Sequence, residues 1–224
     1  MNGTHGAIVY ATEGSAGLSG AEQPCILNFI RHGATAANEK RIYCGFTDIP
    51  LSEAGREGLR LLRSNLVYPA SDIYITSGMK RADETLKILF DKDPDYVIRE
   101  FREFNFGDFE MKAHGELCSA ADYIRWIESG CETVCPGGES RADFKSRLLA
   151  GLTRLARLNA RSAIIVCHGG VISEIMAYLF PEEKRHFYEW QPGFGRGYTV
   201  EIMRNNKDGC KTGFVDRALF YREI

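Results

Sequence analysis

The apolar run 26–30 stops at Arg31-His32-Gly33, as expected of a strand buried on both faces. From Ser52 the spacing of apolar residues becomes helical, with Leu59, Leu62 and Leu66 on one side and the serine placed as a cap. Residues 72–76 read as a second strand, and 80–90 as the helix after it, turning Leu86, Leu89 and Phe90 inward. A third strand is predicted over 96–101, edged by Pro94, before an aromatic loop of Phe104, Phe106 and Phe109 around Gly107. Residues 116–129 look helical, with Tyr123, Trp126 and Ile127 on a face, and 131–138 form a loop. The spacing of Phe144, Leu148, Leu152 and Leu155 predicts a helix over 140–158. A strand over 162–167 then ends in His168-Gly169-Gly170, and a helix over 171–179 stops before Pro181.

Strands alternating with helices imply an α/β fold around a largely parallel sheet. Residues 24–224 are read as one domain, with residues 104–138 as a small helical cap inserted over the site. Residues 1–23, rich in Gly, Ala and Ser, read as a poorly ordered extension in which His5 is inert. Ligands of such sheets sit beyond the carboxyl ends of the strands, where Arg31-His32, residues 77–81 and His168 all fall.

Composition narrows the classes. A formal net charge of −2 over 224 residues gives no positive field for nucleic acid. No apolar stretch approaches the ~20 residues of a membrane-spanning helix, so no membrane partner is expected. The start of the chain lacks the basic and apolar blocks of a signal peptide, which makes the cytoplasm the expected location. Seven scattered cysteines do not suggest a disulfide framework. Cys131 and Cys135 lack the second pair a zinc site needs, and Cys167 reads as core rather than as a nucleophile beside His168. A homodimer is compatible with these features.

Two strand-terminal histidines are hard to explain by packing. Phosphoryl transfer needs an in-line nucleophile, cations on the equatorial oxygens, and a proton for the leaving alkoxide. His32 suits the first role, since a neutral imidazole can attack through one nitrogen while a backbone hydrogen bond fixes the other. Arg31 and Arg81 can grip the oxygens bidentately, with His168 as a further donor to the growing charge. Glu100, Glu103, Asp108 and Glu110 all compete as the acid. Thr35 and Asn38 either touch the phosphate or tie down the loop after the first strand. No metal or cofactor is required, because arginines and histidines supply the positive charge.

Several segments, in order, are similar to the histidine phosphatase superfamily, which includes the phosphoglycerate mutases. They are Arg31-His32-Gly33-Ala34-Thr35 with Asn38, Tyr43 to Asp48, Leu51-Ser52-Glu53-Ala54-Gly55, Thr76 to Thr85, Glu103 to Glu110, and Pro136-Gly137-Gly138-Glu139-Ser140. The resemblance implies a phosphoglycerate mutase-like three-layer sandwich, with a mixed, mostly parallel central sheet flanked by helices. It implies a metal-independent phosphomonoesterase working through phosphohistidine at His32, and it points to Glu103 among the acids. The phosphate-binding set it implies is Arg31, Thr35, Asn38, Gly45, Arg81, His168 and Gly169, around a small phosphorylated substrate. Residues 106–110 and 136–140 most resemble the alpha-ribazole phosphatases. A phosphoglycerate mutase, which tends to carry a longer insertion between acid and second histidine, and a non-catalytic phosphate-binding protein are the alternatives.

Departures from the family pattern fall at residues 110–115, where substrate selection is expected, and at Met79-Lys80, where packing is affected. The glycine-rich segment 188–198 is read as a connection rather than a mobile lid.

Overall fold

The computed structural model describes residues 22–205, 214 and 220–224. A six-stranded sheet runs in the order β3-β2-β4-β1-β5-β6. Its strands are β1 (Glu22–Arg31), β2 (Ile73–Thr76), β3 (Tyr96–Val97), β4 (Ser162–Cys167), β5 (Gly197–Asn205) and β6 (Phe220–Glu223). The first four are mutually parallel, while β5 runs antiparallel to both β1 and β6. The helices are α1 (Ala36–Glu39), α2 (Glu53–Asn65), α3 (Lys80–Phe90), α4 (His114–Leu117), α5 (Ala121–Glu128), α6 (Arg141–Arg157) and α7 (Gly169–Leu179).

Alternate residues of the central strands feed two cores, as the pleat requires. Ile30, Ile164 and Val166 meet Leu59 of α2 and Leu86 of α3 on one face. On the other, Leu27, Phe29, Ile165 and Cys167 meet Leu148 of α6 and Ile172 of α7. The result is the expected three-layer α/β sandwich. Cys167 is buried in the second core, and burial pushes its thiol far up from the ordinary value, so it is not a nucleophile.

Several boundaries differ from expectation. β1 begins at Glu22, inside the expected extension; residues 1–21, with His5, lie outside the described residues. Residues 22–25 are supported only by β5, because pairing with β4 starts at Ile26 opposite Ser162. The third strand shrinks to two residues and passes at once into a 3₁₀ turn, Arg99–Phe101. The helix expected over 116–129 is two helices, since Ala120 adopts an extended conformation as the N-cap of α5. Strands β5 and β6 were not among the predicted elements. Cys131 and Cys135 are free thiols.

Candidate active site

The decisive local fact is register. β1 and β4 pair in parallel with Arg31 opposite Cys167, and the His32 amide donates to the Cys167 carbonyl at 2.9 Å. The next residue on each strand is therefore a histidine. The His32 and His168 rings stand edge to face with centroids 5.0 Å apart.

His32 is buried, and its Nδ1 lies 2.6 Å from the Gly33 carbonyl. A nitrogen facing a carbonyl carries the proton, so Nε2 keeps its lone pair. Burial, reinforced by the Arg81 charge, holds the imidazole well below its ordinary pKa, against the opposing pull of the Gly33 hydrogen bond. Burial and then Arg81 act the same way on His168.

Arg81, in the first turn of α3, lies deep inside the protein. Its Nη1 donates to the Thr47 carbonyl at 3.0 Å, its Nη2 to the Gly45 carbonyl at 2.7 Å, and its Nε to His168 Nδ1 at 3.3 Å. His168 Nδ1 is thus an acceptor, its proton sits on Nε2, and that nitrogen lies 2.8 Å from Ser77 Oγ. Both nitrogens of His168 are engaged, and through Nδ1 it orients Arg81. Arg31 is held by the carbonyl of Pro192 at 2.8 Å and by the ring of Phe194, 4.2 Å from Cζ, while its buried Nε has no hydrogen-bond partner among the described residues. Burial lowers the pKa of both arginines, with the Glu103 charge opposing it.

Only one of the four competing acids joins this group. Glu103 accepts from the Phe104 amide at 2.9 Å and the Gly170 amide, in the first turn of α7, at 3.0 Å. Glu110 spends its carboxylate on the amides of Gly45, Phe46, Thr47 and Phe106, which removes it from consideration as acid. Its work is to shape the loop whose carbonyls hold Arg81. Gly45 is required there, because a Cβ would lie 1.7 Å from the Phe104 carbonyl oxygen. Glu100 pairs with Arg154 at 3.3 Å, and Asp108 is exposed.

Thr35 and Asn38 engage one another in a capping box at the start of α1. That arrangement is the loop-fastening alternative. Gly169 and Gly170 open α7, with His168 as N-cap. The segment 188–198 is tied down through the Gly195 amide to the Arg31 carbonyl and the Arg31 amide to the Arg196 carbonyl, both 2.9 Å.

A cavity of about 480 Å³ opens beside Glu103 and Gly170. Tyr43, Phe104, Phe106, Trp126 and Phe144 wall one part of it, and Phe187 and Tyr188 another, with Arg141 and Arg185 also lining it. Most of the first wall comes from, or packs on, residues 104–138.

The sequence profile of the histidine phosphatase superfamily (branch 1) matches residues 27–209. The chain belongs to that superfamily. Among curated relatives, the adenosylcobalamin/alpha-ribazole phosphatase of Salmonella typhimurium is 32% identical over 155 residues, covering 67% of this chain and 77% of the relative. A 2,3-bisphosphoglycerate-dependent phosphoglycerate mutase of Cytophaga hutchinsonii is 30% identical over 174 residues, covering 72% and 81%. The crystal structure of a putative alpha-ribazole-5'-P phosphatase from Escherichia coli superposes with a TM-score of 0.72 at 27% identity, covering 88% of this chain and 94% of that one.

As a histidine phosphatase, the protein is a phosphoric monoester hydrolase acting on a small phosphorylated substrate. No helix among the described residues is long and apolar enough to cross a membrane. Sequence reasoning passed over Arg147 of this histidine phosphatase. From α6, Arg147 donates to the carbonyls of Glu100, Arg102 and Glu103 and to both oxygens of Glu139. Its signal was the glutamate of the Pro136 to Ser140 motif, which needs a buried cationic partner.

Proposed function

We propose that the enzyme hydrolyses a phosphomonoester whose leaving alcohol carries a flat aromatic group, with alpha-ribazole phosphate as the leading substrate. The observation that carries this reading is the aromatic cavity beside Glu103. A phosphoglycerate would leave such walls unused, whereas alpha-ribazole is a nucleoside with a benzimidazole base that can stack on them.

In this reading His32 Nε2 attacks phosphorus in line, and the ester oxygen departs with a proton from Glu103. The phosphohistidine is then hydrolysed by water that gives its proton to the Glu103 carboxylate, so the acid is regenerated. Arg31 and Arg81 take the equatorial oxygens. The unpartnered Nε of Arg31 supports this, since a buried donor without a partner costs about 1–3 kcal/mol that a phosphoryl oxygen would recover. Residues 104–138 act as the cap that walls the leaving group away from water.

The test is turnover of purified protein on alpha-ribazole phosphate, phosphoserine and 3-phosphoglycerate. A kcat/KM at least about tenfold higher for alpha-ribazole phosphate is expected from burial of one aromatic ring system. Interconversion of phosphoglycerates faster than release of inorganic phosphate would overturn the reading.

A further inference from the structure

The two arginines that line the cavity are unequally committed. Arg141 donates Nη1 to Glu132 at 2.9 Å and Nε to Glu174 at 3.2 Å, so its fork is held by two carboxylates. Arg185 makes no such bond among the described residues; the Glu183 carboxylate comes only within 3.9 Å of its Nε, beyond hydrogen-bond reach.

Arg185 is nevertheless held in place. Its Cζ sits 4.6 Å from the centroid of the Trp190 ring and 5.7 Å from that of Tyr221. Trp190 is buried and packed in turn against Phe180, Tyr198 and Tyr221, with ring centroids 6.2, 5.8 and 5.3 Å away. Contact with a rigid aromatic platform restrains the guanidinium and leaves its Nη hydrogens uncommitted. A planar fork restrained in this way loses little conformational freedom when it binds. Beside it, Phe187 and Tyr188 supply aromatic walls for whatever the fork grips.

We propose that Arg185 determines specificity at a subsite for a hydrogen-bond acceptor on the aromatic leaving group, strongest when that acceptor is a carboxylate. This rests on the reading that the cavity receives an aromatic leaving group. The subsite selects among aryl and nucleoside-like phosphomonoesters and takes no part in the phosphoryl step itself.

The experiment uses two model esters, 4-carboxyphenyl phosphate and 4-methylphenyl phosphate, and reads the ratio of their kcat/KM values. Comparing that ratio between wild type and Arg185→Met cancels the intrinsic difference between the two phenolates. Removal of a charge-assisted pair should lower the ratio about tenfold or more. Arg185→Lys should recover part of the ratio but not all, having the charge without the fork. Arg185→Glu should reverse the preference, favouring 4-(aminomethyl)phenyl phosphate over the carboxylate ester. A ratio that stays within twofold of wild type in the Met variant, or is fully restored by Lys, overturns the subsite while leaving the phosphatase reading intact. Failure of the wild type to turn over either aryl ester brings down both readings together.

Discussion

Arg147 Nη2 donates at once to Glu139 Oε1 at 2.6 Å and to the Glu103 carbonyl at 3.2 Å. With its Nε on Glu139 and its Nη1 on the carbonyls of Glu100 and Arg102, all five guanidinium hydrogens have acceptors. The backbone that presents Glu103 is thereby fixed from α6, far along the chain from Glu103 itself.

Arg147→Met should destabilise the fold by about 3–5 kcal/mol, the scale of stranding one partner of a largely buried ion pair. Urea denaturation measures it. Arg147→Lys should fold better yet misplace Glu103, lowering kcat on alkyl phosphates more than on p-nitrophenyl phosphate. Equal losses on both substrates would make the contact structural only.

His32→Ala should reduce turnover by at least about 10³-fold, since it deletes the atom proposed to bond to phosphorus. The wild type, quenched in base during turnover, should carry acid-labile, base-stable phosphate on that histidine. An alanine variant that keeps more than a few per cent of the wild-type rate would refute the assignment.

Glu103→Gln should depend on the leaving group. An alkoxide needs a proton to depart and p-nitrophenolate does not, so hydrolysis of glycerol phosphate should fall by about 10²-fold or more while the aryl ester is far less affected. Steady-state kinetics on the two esters settles the question. Parallel losses would remove Glu103 from the acid role.

Both active-site imidazoles are buried in the neutral form, so the unfolded chain takes up protons that the folded one refuses. Their contribution to stability is complete above the ordinary histidine range near 6.5 and is lost as pH falls from there towards the depressed folded values. The urea midpoint of the wild type should therefore fall below pH 6.5, and less steeply in His168→Gln. The same depression keeps Nε2 of His32 unprotonated, so the acid limb of kcat/KM assigned to His32 should lie below 6.5. A limb at 6.5 would place the ring in a solvated setting.

Residues whose chemistry coincides with a strand end were legible in sequence: the apolar runs before Arg31 and His168 announce their position, though not the burial of His32 and His168. Arg81 was legible through its segment. Glu103 was not separable from Glu110 by residue type, because the difference between them is made by four backbone amides that converge on Glu110 from two loops. The break between α4 and α5 carries neither glycine nor proline, and the start of β1 is polar because it has a neighbour on one side only. Three of the five hydrogen bonds of Arg147 go to main-chain carbonyls, which leave no mark in the sequence; only its Glu139 partner does.

The position of β4 also has a consequence for synthesis. It is the last of the parallel strands to be made, and it enters between β2 and β1. A chain that ends before Ser162 already owns Arg31, His32, Arg81 and Glu103, yet Arg81 Nε has no imidazole to receive it and the Gly170 amide is missing from Glu103. A polypeptide that stops short of that strand is therefore expected to lack phosphatase activity. Divided in the exposed turn ahead of β4, the enzyme should become a pair of silent fragments, and recovery of phosphatase activity on mixing would report the arrival of that one strand.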